Sequence, residues 1–591
     1  MTDRFAYPLP FGASLYDDGR TQFRLWAPDR PSVLLEIEGA ATVPMQPQGD
    51  GWFVAVAPSP AQTRYRYRVR PDLVVPDPAS RAQATDVHDP SLVVDPRAYT
   101  WQNADWRGRP WHETVLYEVH AGLFGGFAGL IQRLPELAAL GITAVELMPV
   151  ADFPGPRNWG YDGVLPFAPD RAYGTPDELK ALIDRAHGLG LMMFLDVVYN
   201  HFGPDGNYLG AYASPFFRHD VTTPWGAAID FGCPQVRRFF IENALYWLME
   251  YRFDGLRLDA VHAIGDAGWL DELAAEMRRT IEPGRHVHLV LEHDGNAAHQ
   301  LTRGFDAQWN DDAHHVLHVL LTGEDDGYYS DYADAPAQRL ARCLAEGFAY
   351  QGEPSPYRNG EPRGQPSAHL PPTSFVLFLQ NHDQVGNRAL GERLNRLCPA
   401  KALVAATALV LLSPQIPLIF MGDEWDSTSP FLFFTSHNDI LAAAVRDGRR
   451  REFARFPAFA SVAGQDRIPD PNDPATFLAS HPLPAGSTAS TIWSDLVRHL
   501  LALRRIAIIP RLPGARAIES HAIGAAAVHA AWRLGDRSTL TIAANFGTEA
   551  VACGTPGGRV LFATDKEVTR HARAGNLPSR SLIALLDNAP S

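Results

Sequence analysis

The sequence predicts an α/β protein built on a (β/α)8 TIM barrel, with an N-terminal β-sandwich before it and a small C-terminal β-sandwich after it. Three observations predict this. From Trp111 onward, apolar strand-like runs alternate with amphipathic helical stretches, beginning with a strand. Four of these runs carry polar residues at their ends: LMMFLDVVYNH (Leu191–His201), FDGLRLDAVH (Phe253–His262), HLVLEHD (His288–Asp294) and FVLFLQNHD (Phe375–Asp383). In a parallel barrel, functional residues gather where the strands end. The two ends of the chain instead show short alternating runs broken by Pro, Gly and Asp, the pattern of sandwiches.

Taken in order, residues 1–105 hold FRLWAP, VLLEIEG, WFVAVA and YRYRVR, short half-buried strands. The Pro- and Asp-rich stretch Val74–Pro96 reads as a connector. The barrel is assigned to 106–510. Its strands begin at Val115, Ala144, Met192, Gly255, His288, Asp306, Phe375 and Pro417. Helical stretches separate them, among them PDELKALIDRAHGLG, PQVRRFFIENALYWLMEY, DELAAEMRRTI and KALVAATALVLLS. One insertion, 201–233, follows the third strand and is rich in Gly, Pro and aromatics, and a loop of that length is usually functional. TIWSDLVRHLLALRRIA closes the barrel, and 511–591 returns to β-type runs such as AAAVHAAWRL and TLTIAANF.

Composition narrows the function. The 591 residues carry 67 acidic against 52 basic side chains, a net charge of -15. That argues against nucleic acid or an anionic membrane as partner. No apolar run reaches membrane-spanning length, and the start lacks the basic and apolar regions of a signal peptide. The four Cys are far apart and form no CxxC, so the expected location is the cytoplasm. No P-loop, Gly-rich dinucleotide turn or HExxH is present, so no cofactor is expected. His314 and His318 have helical spacing for metal ligands but no third ligand, so no metal is expected.

The chemistry lies at the strand ends. Arg257 and Asp259 are two apart and leave one face of their strand, where the guanidinium would keep the carboxylate ionised, as a nucleophile requires. An RxD pair can equally be a barrel ion pair without a catalytic task. Glu292 follows HLVL at the rim, where partial desolvation would raise its pKa and make it a proton donor, although a rim Glu can also simply cap a turn. Asp383 ends QNHD, beside Asn381 and His382, a sequence that also suits a plain turn. Asp196 and Asn200 share a face of the third strand, and His201 opens the long loop. Trp159, Tyr161, Tyr199, Phe202, Tyr208 and Trp225 are candidate faces for sugar stacking, or else loop packing. Paired carboxylates about 5 Å apart are the equipment of a retaining glycosidase.

The segments DVVYNH, GLRLDAVH, the Glu after HLVL and QNHD, in this order, resemble the signature regions of the alpha-amylase superfamily. The resemblance covers the barrel, and the N-terminal region resembles the carbohydrate-binding-module-like domain of debranching and branching members. It implies Asp259 as nucleophile, Glu292 as general acid/base and Asp383 as transition-state stabiliser. It implies an orienting role for Arg257 and binding of the cleaved sugar for His201 and His382. Asn381, Tyr161, Asp162 and Asp196 are further candidates for substrate contact, although a buried Asp196 can equally orient its neighbours. TTPWGAAIDFG, QNHDQVGNRALGERL, MGDEW and FFTSHNDILAAAVRDGRRREF narrow the resemblance to members that release trehalose from maltooligosyl trehalose. Maltooligosyl trehalose and α-glucan oligosaccharides are therefore the expected ligands, with Trp225 as candidate wall for the trehalose unit. The alternatives are a branching or debranching enzyme, or a non-catalytic glucan-binding relative.

Overall fold

The computed structural model describes residues 5–223, 226–484, 488–555 and 557–587. Eight parallel strands close into a barrel: β1 (Leu116–Val119), β2 (Ala144–Leu147), β3 (Met192–Val197), β4 (Gly255–Leu258), β5 (His288–Leu291), β6 (Ala307–Trp309), β7 (Phe375–Leu377) and β8 (Ile416–Phe420). All eight expected strands occur in the expected order, and β8 pairs back to β1. Every residue in them is buried, which is why they read as continuous apolar runs.

An apolar cluster including Leu116, Met192, Phe194, Val290, Trp309 and Val376 joins seven of these strands. The remaining strand, β4, contributes Gly255, where a Cβ would lie 2.1 Å from the Phe194 ring. The polar strand ends therefore rest on a hydrophobic floor. Register sets their heights: Asp196 of β3 is level with Arg257 of β4, which is level with Val290 of β5.

The surrounding helices are α1 (Leu134–Leu140), α2 (Pro176–Gly188), α3 (Pro234–Met249), α4 (Ala267–Thr280), α5 (Asp311–Thr322), α6 (Pro336–Glu346), α7 (Ala400–Leu412) and α8 (Thr488–Leu503). α2 shows why such segments start where they do. Thr175 and Glu178 form a capping box, with Pro176 in the first turn. Strict alternation of strand and helix breaks once. Between β5 and β6 the described residues hold only a single turn, Gln300–Thr302. The connecting sequence EHDGNAAHQLTRGFD has no apolar repeat that could bury a helix face.

At the N-terminal end, two antiparallel sheets face each other. One contains Arg20–Trp26 and Trp52–Pro58, the other Leu34–Ile37 and Arg64–Arg70, with Phe23, Leu25, Tyr65 and Tyr67 buried. This sandwich sits on α3. Tyr7 donates to Glu242 at 2.7 Å, and Phe11 meets Phe239 edge-on at 5.3 Å. Arg81 of the sandwich and Lys180 of α2 both pair with buried Glu250. At the other end, a five-stranded antiparallel sheet runs in spatial order Arg516–Gly524, Ala527–Arg533, Thr539–Asn545, Ser581–Asp587, Arg559–Ala563. Helix Lys566–Arg573 and a two-stranded ladder complete it, and Trp532 donates to the Leu344 carbonyl of α6 at 3.1 Å.

The insertion after β3 carries two single helical turns and a hairpin, Phe217–Thr223 with Gly226–Ile229. Trp225 lies outside the described residues. Among the described residues no helix is long and apolar enough to cross a membrane.

Candidate active site

Arg257 is the organising residue. It is wholly buried, and its Nη1 donates to Asp196 Oδ2 at 2.7 Å and to Asp259 Oδ1 at 2.8 Å. Its Nη2 lies 2.9 Å from Glu292 Oε2, and the guanidinium stands 4.3 Å above the Trp309 ring. One cation thus ties together the ends of three consecutive strands. Buried charge of this kind is tolerated only when paired and hydrogen-bonded, as here.

Asp259 follows β4. Asn200 donates to its Oδ2 at 2.7 Å and to its carbonyl at 3.0 Å. Burial pushes the Asp259 carboxyl upward, but Arg257, His201 and the Asn200 bond outweigh it and hold it below the usual carboxylate range. Glu292 follows β5 and accepts the Ala260 N–H at 2.8 Å. Ala260 has left-handed backbone, φ 40°, a cost of about 1 kcal/mol for a residue with a Cβ. That bend aims its N–H at Glu292. Burial drives the Glu292 carboxyl well above the usual range, and Asp259, Asp383 and Asp311 add to the rise against Arg257. The two carboxyls therefore share a cation yet are displaced in opposite directions.

Asp383 is the second residue of the short helix His382–Gly386, capped by Asn381, whose Oδ1 accepts the Asp383 N–H at 2.9 Å. Its side chain is 39% exposed, against 12% for Asp259 and 19% for Glu292, so it is the carboxylate most open to solvent. His382 is buried. Its Nδ1 bonds Glu118, and its Nε2 lies 2.8 Å from the Tyr161 hydroxyl. Burial lowers its proton affinity, but Glu118 and Asp383 override this and lift it to about 9. Tyr161 stacks on the His382 ring and donates to Asp196 at 2.5 Å. His201 Nε2 lies 2.9 Å from the Tyr161 carbonyl. Asp162 accepts from Asn158 at 2.6 Å, and His437 lies 3.5 Å away.

The structure thus gathers Arg257, Asp259, Glu292, Asp383, Asp196, His201, His382, Asn381 and Tyr161, with Asp162 adjoining. The stacking candidates need correction. Trp159, Tyr199 and Phe202 are buried, 4%, 1% and 6% exposed, and pack against Phe431, Phe240 and Phe216. Aromatics on apolar strand ends are drawn into the core before they can serve a ligand. Tyr208 bonds His88 across the seam with the sandwich. His314 and His318 are also engaged, with the Leu379 carbonyl at 2.7 Å and Glu324 at 2.8 Å.

Sequence reasoning missed Glu118, Trp309, Asp311, Tyr328, Tyr357, Arg358 and Arg363. Glu118 had a signal, a carboxylate inside the apolar strand VLYEVH. Trp309 ends β6 and lies under the Arg257 guanidinium. Asp311, Tyr328, Tyr357, Arg358 and Arg363 line a cleft of about 460 Å³ with Glu292 and Asp383 and come from the segment between β6 and β7. There the hairpin Gln351–Ser355/Glu361–Gly364 folds over the rim.

A closed (β/α)8 barrel with three carboxyls over one arginine at its strand ends defines an alpha-amylase-class glycoside hydrolase. The model described as "Alpha amylase, catalytic domain" matches residues 96–220, and "Domain of unknown function (DUF3459)" matches 515–583. The chain is 40% identical over 511 residues to a malto-oligosyltrehalose trehalohydrolase of Deinococcus radiodurans, covering 85% of this chain and 82% of the relative. It is 38% identical to that of Rhizobium sp. (strain M-11), covering 96% and 98%. A crystal structure from Salmonella typhimurium, described as a candidate alpha amylase, superposes with a TM-score of 0.92 at 44% identity, covering 98% and 100%. The chain belongs to the malto-oligosyltrehalose trehalohydrolase family.

Proposed function

We propose that the protein cleaves the α-1,4 bond next to the terminal trehalose of maltooligosyl trehalose, by double displacement. The observation that carries this is the Asp259–Glu292 pair: two carboxyls on one guanidinium, one favouring its ionised form and the other its protonated form. Such close pairing suits the retaining spacing of about 5 Å.

In the first step an Asp259 oxygen bonds the anomeric carbon as the bond to the trehalose oxygen breaks. The Glu292 proton passes to that oxygen, and trehalose leaves. In the second step Glu292, now ionised, takes a proton from water. The water oxygen bonds the anomeric carbon, the Asp259 ester breaks, and the maltooligosaccharide departs with its α configuration. Asp383 faces the positive charge that develops on the ring, while Arg257 and Asn200 aim Asp259. His382, His201, Tyr161, Asn381, Asp162 and Asp196 form the wall around the sugar under attack.

Glu292 protonates the leaving oxygen, so the cleft that runs outward from it past Tyr328, Tyr357 and Arg358 receives the leaving sugar. Branching or debranching would use the same carboxyls, and no observation here favours either. The assignment of 1–105, 106–510 and 511–591 as separate domains belongs to the same reading, as do a cytoplasmic location, supported by four unpaired cysteines, and the absence of a nucleic-acid partner. The test is to incubate the protein separately with maltotriosyl trehalose and maltopentaose and to identify the sugars formed. Free trehalose and maltotriose, formed faster than any product of maltopentaose, are expected. Transfer to new α-1,6 branches without free trehalose would overturn the reading.

A further inference from the structure

α5 begins with two adjacent aspartates in opposite circumstances. Asp312 is fully buried and saturated. It accepts from Asn296 at 2.8 Å, from the N–H groups of Ala349 and Tyr350 at 2.8 and 2.9 Å, and from Tyr332, and it pairs with Arg363 at 2.9 Å. Asp311 lines the cleft with Glu292 and Asp383 and is only partly buried. Among the described residues no hydrogen bond or ion pair engages its carboxylate.

The surroundings of Asp311 offer its charge little relief. The Arg363 charge on the hairpin eases it at a distance, but the charges of Asp383 beyond β7, Asp294 beyond β5 and Asp312 on its own helix oppose it, while Tyr328 and His315 share the cleft wall. Burial first, then these carboxylates against Arg363, push Asp311 up to about 7. A helix N-terminus favours an anion, yet three neighbouring carboxylates cancel much of that gain. Stability therefore does not account for this carboxylate. Its acceptor lone pairs are unused and open into a cleft that, in the reading above, receives a polyhydroxylated leaving group.

We propose that Asp311 binds the leaving sugar, its carboxylate accepting hydrogen bonds from hydroxyls of the ring seated beyond Glu292. It is then a specificity-determining residue of the cleft, and the assignment rests on the reading of the site as a glycosidase that expels a sugar along this path. The same position gives it a second effect. Ionised Asp311 repels the ionised form of Glu292 and so helps Glu292 keep its proton.

The test compares the parent with Asp311→Asn and Asp311→Ser in the full chain, with maltotriosyl trehalose and maltopentaose as substrates. KM and kcat are measured across pH 5 to 9, alongside thermal melting. Loss of hydrogen bonds to a charged acceptor should raise KM about tenfold. The basic limb of kcat/KM should move to lower pH, because Glu292 loses a like-charged neighbour and gives up its proton more readily. A purely structural role would move melting but neither of these. KM and pH profiles equal to the parent in both variants, with or without a change in melting, would overturn the proposal. If the parent cleaves maltopentaose but not maltotriosyl trehalose, the trehalose-releasing reading fails. The KM for maltopentaose then still decides on Asp311, since a glucosyl leaving group presents hydroxyls to the same wall.

Discussion

Asp259 and Glu292 touch the two arms of one guanidinium, and their environments displace their proton affinities in opposite directions. Asp259 gains Asn200 and His201 beside Arg257, whereas Glu292 is desolvated among other carboxylates. Asp259→Ala and Glu292→Gln should each lower kcat about a thousandfold or more while melting stays near the parent's. Activity within tenfold of the parent in either variant would remove that residue from the chemistry. A pH profile follows with its sign fixed. Activity needs Asp259 ionised, and its proton affinity is depressed, so the acid limb lies below the usual carboxylate range. It also needs Glu292 protonated, and its affinity is raised, so activity persists well above that range. Glu118 acts at one remove. It and Asp383 keep His382 charged up to about pH 9 against the effect of burial. In Glu118→Gln the imidazolium should lose its proton at lower pH, so the kcat deficit should deepen as pH rises from 6 to 9. A deficit independent of pH would mean that Glu118 only packs. Of these residues, Arg257 and Asp259 were legible because they are two apart on one strand. The Glu118–His382 pair was not, because its members lie 264 residues apart and only barrel closure brings them together.

At the scale of elements, the strands were legible because burial on both faces leaves unbroken apolar runs. The segment between β5 and β6 was not, because an alternating pattern invites a helix that its sequence cannot bury. Trp159, Tyr199 and Phe202 failed as stacking faces for a related reason: sequence shows that an aromatic is near the rim but not which way it turns. The folding of the β6–β7 segment over the rim was equally hidden, since Asp312 anchors it through contacts up to 38 residues away. Asp312→Ala should strip an acceptor from Asn296, Tyr332 and two backbone N–H groups and leave Arg363 without that buried partner. The expected cost is about 3–5 kcal/mol, read by chemical denaturation. A loss under 1 kcal/mol would show that the segment is held elsewhere.

Across the whole molecule, the N-terminal sandwich also braces the rim, bonding the loop after β3 through His88–Tyr208 and Asp29–Ser214. The sandwich grips α2 and α3 through Glu250, Glu242 and Phe239, and the C-terminal sheet leans on α6. The cleft beside Glu292 and Asp383 is lined by the segment between β6 and β7, so under the proposed reading that segment, together with the loop after β3, shapes the choice of substrate. The central claim is that this rim cleaves maltooligosyl trehalose with retention through Asp259. Proton NMR of maltotriosyl trehalose during the first turnovers tests it most directly, because one spectrum reports both the product and its anomer. The account predicts free trehalose together with maltotriose whose new reducing end is α before mutarotation. Maltotriose appearing first as the β-anomer, or maltooligosaccharide formed without trehalose, would contradict it.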